Sequence, residues 1–203
     1  MSGIPLMVDV AGQHVTVVGG GKIAERRIYN LLSGHALIEV VSPEVTSGIR
    51  SLYENDQIHW KKKRFSPDDV NGSFLIIAAT NDSLVNQQVI EAAPKNALMN
   101  TVEQAADGNV QFPSHFQRGR LSISVSTAGA SPILAARIKK DLEEQYDQSY
   151  EDYVNFLFEA RVQLKQSSFS MTRRRQILRQ LVEEDFFDQQ KQNDMLHYIR
   201  SNR

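Results

Sequence analysis

A run of three glycines, GGG at 19–21, directly follows the β-branched stretch HVTVV at 14–18. With an alanine three residues further on, it forms the pattern Gly19-x-Gly21-x-x-Ala24. Between a strand and a helix, the first glycine of this pattern permits a tight turn, the second lets a diphosphate approach the backbone, and the alanine lets the helix pack closely on the sheet. The spacing therefore predicts a turn that binds the diphosphate of a dinucleotide.

The helix that follows this turn would bind the diphosphate through its own backbone. The N–H groups of Gly21, Lys22 and Ile23 have no partner inside a helix that begins here, and they lie at the positive end of its dipole. The apolar residues that follow recur at helical spacing, and Gly34 is expected to end the helix as a C-cap.

The end of the next strand, ALIEVV at 36–41, indicates which dinucleotide is bound. Ser42, Pro43 and Glu44 follow it, close to where NAD-binding proteins often carry an acidic residue for the adenosine ribose. Ser42 or Glu44 would accept a hydrogen bond from the ribose 2′-hydroxyl. Because no Arg or Lys directly follows the strand to bind a 2′-phosphate, the sequence favours NAD over NADP.

Strands and helices alternate along residues 1–113, as is typical of a doubly wound α/β domain with a parallel sheet. The clearest buried strand is FLIIAA at 74–79. It ends at Thr80, which is expected beside the cofactor because the carboxyl ends of parallel strands share one edge of the sheet.

The pattern changes in the second half of the chain. LSISVS at 121–126 alternates apolar and polar residues, as a strand with one solvated face would. Ser131-Pro132 is typical of a helix start, and this helix is predicted to end near residue 145. Residues 150–203 show only helical periodicity.

The composition excludes several classes of protein. The 203 residues include no cysteine, so disulfides, zinc–thiolate sites and a cysteine nucleophile are excluded. The 23 Lys and Arg residues against 24 Asp and Glu residues give a net charge of −1, without the basic excess typical of nucleic-acid binding. The N-terminus has no basic segment and no long apolar run, so we expect no signal peptide, no membrane span and a cytoplasmic protein.

Four stretches together resemble the precorrin-2 dehydrogenase family, which includes the N-terminal half of bifunctional siroheme synthases. They are Pro5-Leu6 with VVGGGKIAERR at 17–27, AATNDSLVNQQV at 78–89, NTVEQ at 100–104 leading to Phe112-Pro113-Ser114, and SVSTAGASPILAARIKKDLE at 124–143. The last stretch is the most specific, because its small-residue turn before Ser-Pro is unusual.

The resemblance implies an α/β fold of three parts: an N-terminal NAD-binding Rossmann domain with a parallel sheet at 1–113, a small central α+β dimerisation and substrate region at 114–148, and an all-helical C-terminal domain at 149–203. It also implies a homodimer that oxidises the tetrapyrrole precorrin-2 to sirohydrochlorin with NAD, in siroheme biosynthesis. Some members of the family also insert ferrous iron.

The resemblance also points to catalytic residues. An acidic residue in an Asn-Val-Val-Asp segment matters for the family's chemistry, and the matching position here is Glu103. Glutamate in place of aspartate keeps the carboxylate but moves it by about one methylene. Asp107 is therefore a second candidate for the proton acceptor, and His115 is a third. No metal-ligand cluster is expected.

Ser124, Ser126 and Thr127 resemble the family's substrate-side residues, and their hydroxyls could bond the acetate and propionate groups of the substrate. Such a polycarboxylate also calls for a cationic rim, for which Arg118 and Arg120 are the best-placed candidates. Further basic runs lie at 61–64, 137–140 and 173–175.

The departure at Glu103 favours a dehydrogenase without efficient chelatase activity. The nearest alternative is a bifunctional dehydrogenase and ferrochelatase. An alternative from another class is a non-catalytic NAD-sensing module whose helical tail binds a regulatory partner.

Overall fold

The computed structural model describes residues 3–102 and 107–202. The chain forms two compact units, Met1–Phe112 and Pro113–Arg203. The expected further division of the second unit at residue 148 stays a prediction.

The first unit is built on a five-stranded parallel sheet with the strand order β3-β2-β1-β4-β5. The strands are β1 His14–Val18, β2 Leu37–Val41, β3 His59–Lys61, β4 Leu75–Ala78 and β5 Leu98–Thr101. The chain builds the sheet outward from β1 to β3 and then returns to place β4 on the other side of β1. The strand order therefore reverses between β1 and β4, and open α/β sheets bind ligands at such a switch point.

Helices cover the sheet and form two layers of apolar core on its faces. They are α1 Lys22–Leu32, α2 Ser47–Glu54 and α3 Ser83–Ala92, with a short 3-10 turn at Pro67–Val70. All four residues of β4 are buried, which explains why its sequence has no polar residue. The predicted α/β fold with an N-terminal parallel sheet is confirmed.

The end of α1 differs from the prediction. Ser33, not Gly34, is the C-cap, and the residue with a positive φ is His35, at 59°. Position 34 requires a glycine for a different reason: a Cβ there would lie 2.7 Å from Cγ2 of Val10. The prediction that Gly34 is the C-cap was therefore wrong.

The second unit begins with an antiparallel hairpin and continues with helices. Its elements are β6 Ser114–Arg118, β7 Leu121–Val125, α4 Pro132–Gln145, α5 Ser149–Gln166, α6 Met171–Gln180 and α7 Gln189–Arg200. The predicted start of α4 is confirmed, because the Ser131 hydroxyl accepts a hydrogen bond from the Leu134 N–H at 3.1 Å. In the described part of the chain, no helix combines the length and apolar character needed to cross a membrane.

The aromatic and aliphatic residues of α5, α6 and α7 pack into a separate core. The Tyr153 hydroxyl, inside this core, donates a hydrogen bond to the Leu181 carbonyl at 2.9 Å. The guanidinium of Arg174 donates to the carbonyls of Ser167 and Phe169, just after α5 ends. At least one residue of the basic run at 173–175 is therefore used to hold the fold together.

A buried carboxylate fixes the loop after β3. Asp69 is 7% exposed, and its side chain accepts a hydrogen bond from the Ser66 N–H at 2.9 Å. It also forms ion pairs with Lys63 at 2.7 Å and Lys61 at 3.6 Å. Burial alone would raise the pKa of Asp69, but the hydrogen bonds from Lys63 and Ser66 and the charge of Lys63 outweigh it and hold the pKa below its ordinary value.

The substitution Asp69→Asn should lower the free energy of unfolding by about 1–3 kcal/mol at neutral pH, because Lys63 loses its charged partner and Lys61 keeps only its ion pair with Glu39. Since the folded-state pKa lies below the unfolded one, the contribution of the carboxylate is present above the unfolded pKa and is lost as the pH falls through the folded pKa. Urea unfolding should therefore show a difference between wild type and variant that shrinks as the pH is lowered below about 4.

The exposed neighbour Asp68 provides the control for this experiment. Asp68→Asn should change the free energy of unfolding by less than about 0.5 kcal/mol. An Asp69→Asn effect of equal size at neutral and acidic pH would contradict a charge-based role.

Candidate functional site

A cleft of about 1150 Å³ opens in the first unit at the carboxyl edge of the sheet. Its walls come from the turns after β1, β2, β3 and β4, and therefore include the switch point. All the residues predicted to bind the cofactor line this one cleft: Gly19, Gly21, Lys22, Ile23, Ser42, Pro43, Glu44 and Thr80.

The first glycine of the turn is required by the approach of the neighbouring strand end. Gly19 has φ +123°, in the region that favours glycine, and a Cβ there would lie 2.3 Å from the Ala79 carbonyl oxygen. The Gly19 N–H also donates to the Val41 carbonyl at 3.0 Å. Gly19 thus connects the ends of β1, β2 and β4.

Gly20 has a role that the sequence pattern did not assign. A Cβ at this position would lie 2.1 Å from the Glu44 carbonyl oxygen, so the turn after β2 packs directly on the glycine backbone. The Gly20 carbonyl also accepts a hydrogen bond from the Thr46 N–H at 3.0 Å. The available signal was the third glycine itself, which stands where the fingerprint tolerates any residue.

Gly21 differs from its two neighbours because it faces open space. A Cβ there would have no heavy atom within 4 Å, and its φ of −82° suits any residue. Gly21 is the N-cap of α1, and no side chain caps the helix. Because Gly21 has no side chain, the first N–H groups of α1 lie on a concave backbone surface that fits a diphosphate.

The turn after β2 holds its own shape through Ser42. The Ser42 hydroxyl donates to the Glu44 carbonyl at 2.6 Å, and the Ser42 carbonyl accepts from the Trp60 indole N–H at 2.9 Å. The hydroxyl hydrogen of Ser42 is therefore used within the turn, although the hydroxyl oxygen can still accept a hydrogen bond. Glu44 is exposed, and its carboxylate pairs with no other described residue.

Thr80 is held in place by Asn86, a residue that sequence reasoning did not single out. The Thr80 hydroxyl donates to the Asn86 side-chain oxygen at 2.8 Å, and the Asn86 side-chain nitrogen donates to the Thr80 carbonyl at 3.1 Å. Asn86 is 4% exposed. The signal was its place within AATNDSLVNQQV, six residues after Thr80.

Glu103 lies outside the described residues, but the chain on both sides of it is fixed. The Asn109 side chain accepts from the Met99 N–H at 2.7 Å and donates to the Ala97 carbonyl at 3.0 Å. The Asn100 side chain donates to the Val110 carbonyl at 3.0 Å. Asp107, the second predicted proton acceptor, is exposed.

The hairpin of the second unit brings two predicted residues together. His115 and Ser124 are register partners, and both lie on the exposed face. Ser126 and Thr127 are used more locally: the Ser126 hydroxyl accepts from the Ala128 N–H at 3.2 Å, and the Thr127 hydroxyl bonds both the N–H and the carbonyl of Ser131.

The two arginines at the hairpin turn pack on aromatic rings. The guanidinium carbon of Arg118 lies 5.4 Å from the ring centroid of Phe116, and that of Arg120 lies 3.6 Å from the ring centroid of Phe158. Hydrogen bonds from Ser149, with a smaller effect from the charge of Arg118, hold the pKa of Asp147 below its ordinary value.

Comparison with known families divides the chain into three matched parts. Residues 6–114 match the family described as "Putative NAD(P)-binding". Residues 118–145 match the family described as "Sirohaem biosynthesis protein central", and residues 150–195 match the "SirC C-terminal domain".

Individual proteins match most of the chain. A precorrin-2 dehydrogenase of Priestia megaterium is 40% identical over 195 residues, which cover 96% of both chains. One of Bacillus subtilis is 35% identical over 78% of this chain and 98% of its own. The solved structure titled "SirC, precorrin-2 dehydrogenase" superposes with a TM-score of 0.86 at 39% identity, covering 98% of this chain and 99% of the other.

Gly21 and Gly19 form a matched pair for testing the cleft. Gly21→Ala should leave the melting temperature unchanged, because a Cβ meets nothing in the folded chain. It should weaken the binding of NAD at least about tenfold if a diphosphate lies against this backbone. Isothermal titration calorimetry with NAD and thermal unfolding measure the two quantities.

Gly19→Ala should do the reverse and lower the melting temperature, because its Cβ would collide with the Ala79 carbonyl. If Gly21→Ala kept full affinity for NAD, the diphosphate could not lie at this turn.

Proposed function

The chain belongs to the precorrin-2 dehydrogenase family, and on that basis we propose that it oxidises precorrin-2 to sirohydrochlorin with NAD in siroheme biosynthesis. The resemblance noted in the sequence is confirmed by the relatives and by the matching solved structure. The observation on which the proposal depends is the open backbone surface at Gly21, at the switch point of a parallel sheet.

The reaction removes one hydride and one proton from the substrate. Bound NAD supplies the hydride acceptor, so precorrin-2 and NAD give sirohydrochlorin, NADH and a proton. The main task of the protein is to hold the two molecules in a productive arrangement. The glycine turn binds the diphosphate, and Glu44 accepts a hydrogen bond from the adenosine ribose.

We assign the role of acceptor for the substrate's proton to a carboxylate of the segment after β5. Glu103 is the first candidate, on the strength of the family resemblance. Asn100 and Asn109 support this role, because they hold the chain on either side of the segment through hydrogen bonds to Val110, Met99 and Ala97. Asp107 and His115 are the alternatives.

The hairpin and the turn that follows it are proposed to bind the carboxylates of the substrate. Ser124 is exposed, and its hydroxyl bonds no other described residue, so it is free to donate to a carboxylate. Ser126 and Thr127 shape the adjacent turn. Arg118 and Arg120 add positive charge at the end of the hairpin.

The activity is tested by mixing the purified protein with freshly generated precorrin-2 and NAD, while NADH and the sirohydrochlorin spectrum are followed. Glu103→Ala should lower turnover at least about 100-fold, the usual contribution of a general base, while the affinity for NAD is unchanged. Glu103→Asp is the conservative control and should keep most of the activity.

Three other results would redirect the proposal. An unchanged rate in Glu103→Ala would remove Glu103 from the mechanism. Faster incorporation of Co²⁺ into sirohydrochlorin than in the absence of protein would show the bifunctional alternative. NAD binding by folded wild-type protein without NADH formation would favour the sensing module.

We also propose that the protein is a cytoplasmic homodimer, with the dimer contact in the central region. Helix α4 exposes an apolar strip in the single chain: Ile133 is 84% exposed, Leu134 48% and Ile138 37%. A helix face of this kind is typical of a surface that is buried against another chain.

The dimer is tested by Ile133→Lys, which should shift the equilibrium toward monomer because each copy loses about 1.5–3 kcal/mol of apolar burial. Analytical ultracentrifugation measures the shift. Val182 is also apolar and 63% exposed but lies outside the central region, so Val182→Lys should leave the dimer intact. A wild-type protein that sediments as a monomer at micromolar concentration would contradict the proposed contact.

A further inference from the structure

The basic run at 61–64 serves two different purposes. Lys61 and Lys63 both pair with the buried Asp69, and the Lys63 ammonium also donates to the Ser66 hydroxyl at 2.8 Å. These contacts anchor the loop after β3. Two cations of the run are therefore already used by the fold.

Arg64 is the residue of this run that enters the cleft. It lines the same cavity as the glycine turn, it is exposed, and its guanidinium forms no hydrogen bond or ion pair with another described residue. An arginine that faces a ligand cleft without a partner is free to bind an anion or to stack on an aromatic ring.

The register of the sheet places Glu44 and Arg64 in the turns that follow two adjacent strands. Val41 of β2 and Lys61 of β3 are register partners, and the Ser42 N–H donates to the Lys61 carbonyl at 3.3 Å. Glu44 lies three residues after Val41, and Arg64 lies three residues after Lys61. The cleft thus carries a free carboxylate and a free guanidinium at the ends of adjacent strands, beyond the strand end where the adenosine ribose binds in this fold.

We propose that Glu44 and Arg64 together select the cofactor at the 2′ position of its adenosine ribose. The Glu44 carboxylate accepts from the 2′-hydroxyl of NAD and repels the 2′-phosphate of NADP. The Arg64 guanidinium is able to bind a phosphate, but the negative charge of Glu44 keeps the 2′-phosphate of NADP away from it. This inference rests on the proposed dinucleotide function of the cleft.

The proposal changes the reason for the preference for NAD. In the sequence, this preference rests on the absence of a cation directly after β2. The structure supplies that cation from the loop after β3, so the preference depends on the negative charge of Glu44. Removing this charge should then be enough to admit NADP.

The test compares the binding of NAD and NADP by isothermal titration calorimetry in five proteins: wild type, Glu44→Gln, Arg64→Ala, the double variant of these two, and a control that combines Lys62→Ala with Glu44→Gln. Glu44→Gln should raise the affinity for NADP about tenfold or more, because the 2′-phosphate is no longer repelled and gains a charged hydrogen bond from Arg64. The double variant should lose this gain. Lys62→Ala combined with Glu44→Gln should keep it, because the Lys62 ammonium lies over the Trp60 ring, 5.9 Å from its centroid, and does not line the cleft.

A gain in NADP affinity that persists in the double variant would overturn the role of Arg64, and no gain in Glu44→Gln would overturn the role of both residues. Binding is measured without precorrin-2, so the result is independent of turnover. A wild type that binds NAD but does not oxidise precorrin-2 contradicts the proposed function alone. A wild type that oxidises precorrin-2, with equal NADP affinity in the single and double variants, contradicts this inference alone.

Discussion

The candidate site depends on the contact between the glycine turn and its two neighbouring turns. The backbone at Gly19 lies against Ala79, and the backbone at Gly20 lies against Glu44, at distances that leave no room for a side chain. These contacts bring the ends of β1, β2 and β4 to one place. At Gly21, by contrast, a Cβ would meet no heavy atom within 4 Å, and the cleft is open.

This arrangement separates residues that shape the cleft from residues that are free to bind. Ser42 and Thr80 face the cleft, but each donates its hydroxyl hydrogen within its own turn or to Asn86. Glu44 and Arg64 keep their charged groups free of other described residues. Recognition of a ligand would therefore combine the rigid backbone of the turn with the charges at the ends of β2 and β3.

The sequence predicted the sheet and its glycine turn because both follow from local patterns. A strand buried on both faces excludes polar residues, as in β4, and the turn needs glycine at fixed spacing. The role of Gly34 was predicted wrongly, because a glycine is needed there for the close approach of Val10, which lies far from it in the sequence. Strand β6 was not predicted, since SHFQR is short and its apolar face consists mainly of Phe116.

The side-chain partners within the site could not be predicted for a similar reason. Asn86 reaches Thr80 only after α3 has folded back on the sheet, and Lys63 points to Asp69 while Arg64 faces the cleft. Within a run of four basic residues, sequence alone does not distinguish the two lysines that form ion pairs from Arg64, which faces the cleft. That difference arises from the positions of two carboxylates, Glu39 and Asp69, which pair with Lys61 and Lys63.

The crossover from β3 to β4 has a consequence for the way the protein responds to its ligand. The walls of the cleft come from turns that are separated by long stretches of chain and meet only when β4 pairs with β1. No fragment shorter than this whole arrangement contains the complete cleft, so a bound nucleotide stabilises the unit as a whole against unfolding. At a ligand concentration about 100 times the dissociation constant, this linkage amounts to about 2.7 kcal/mol. Protection from proteolysis and from hydrogen exchange should therefore extend to strands that the nucleotide never touches.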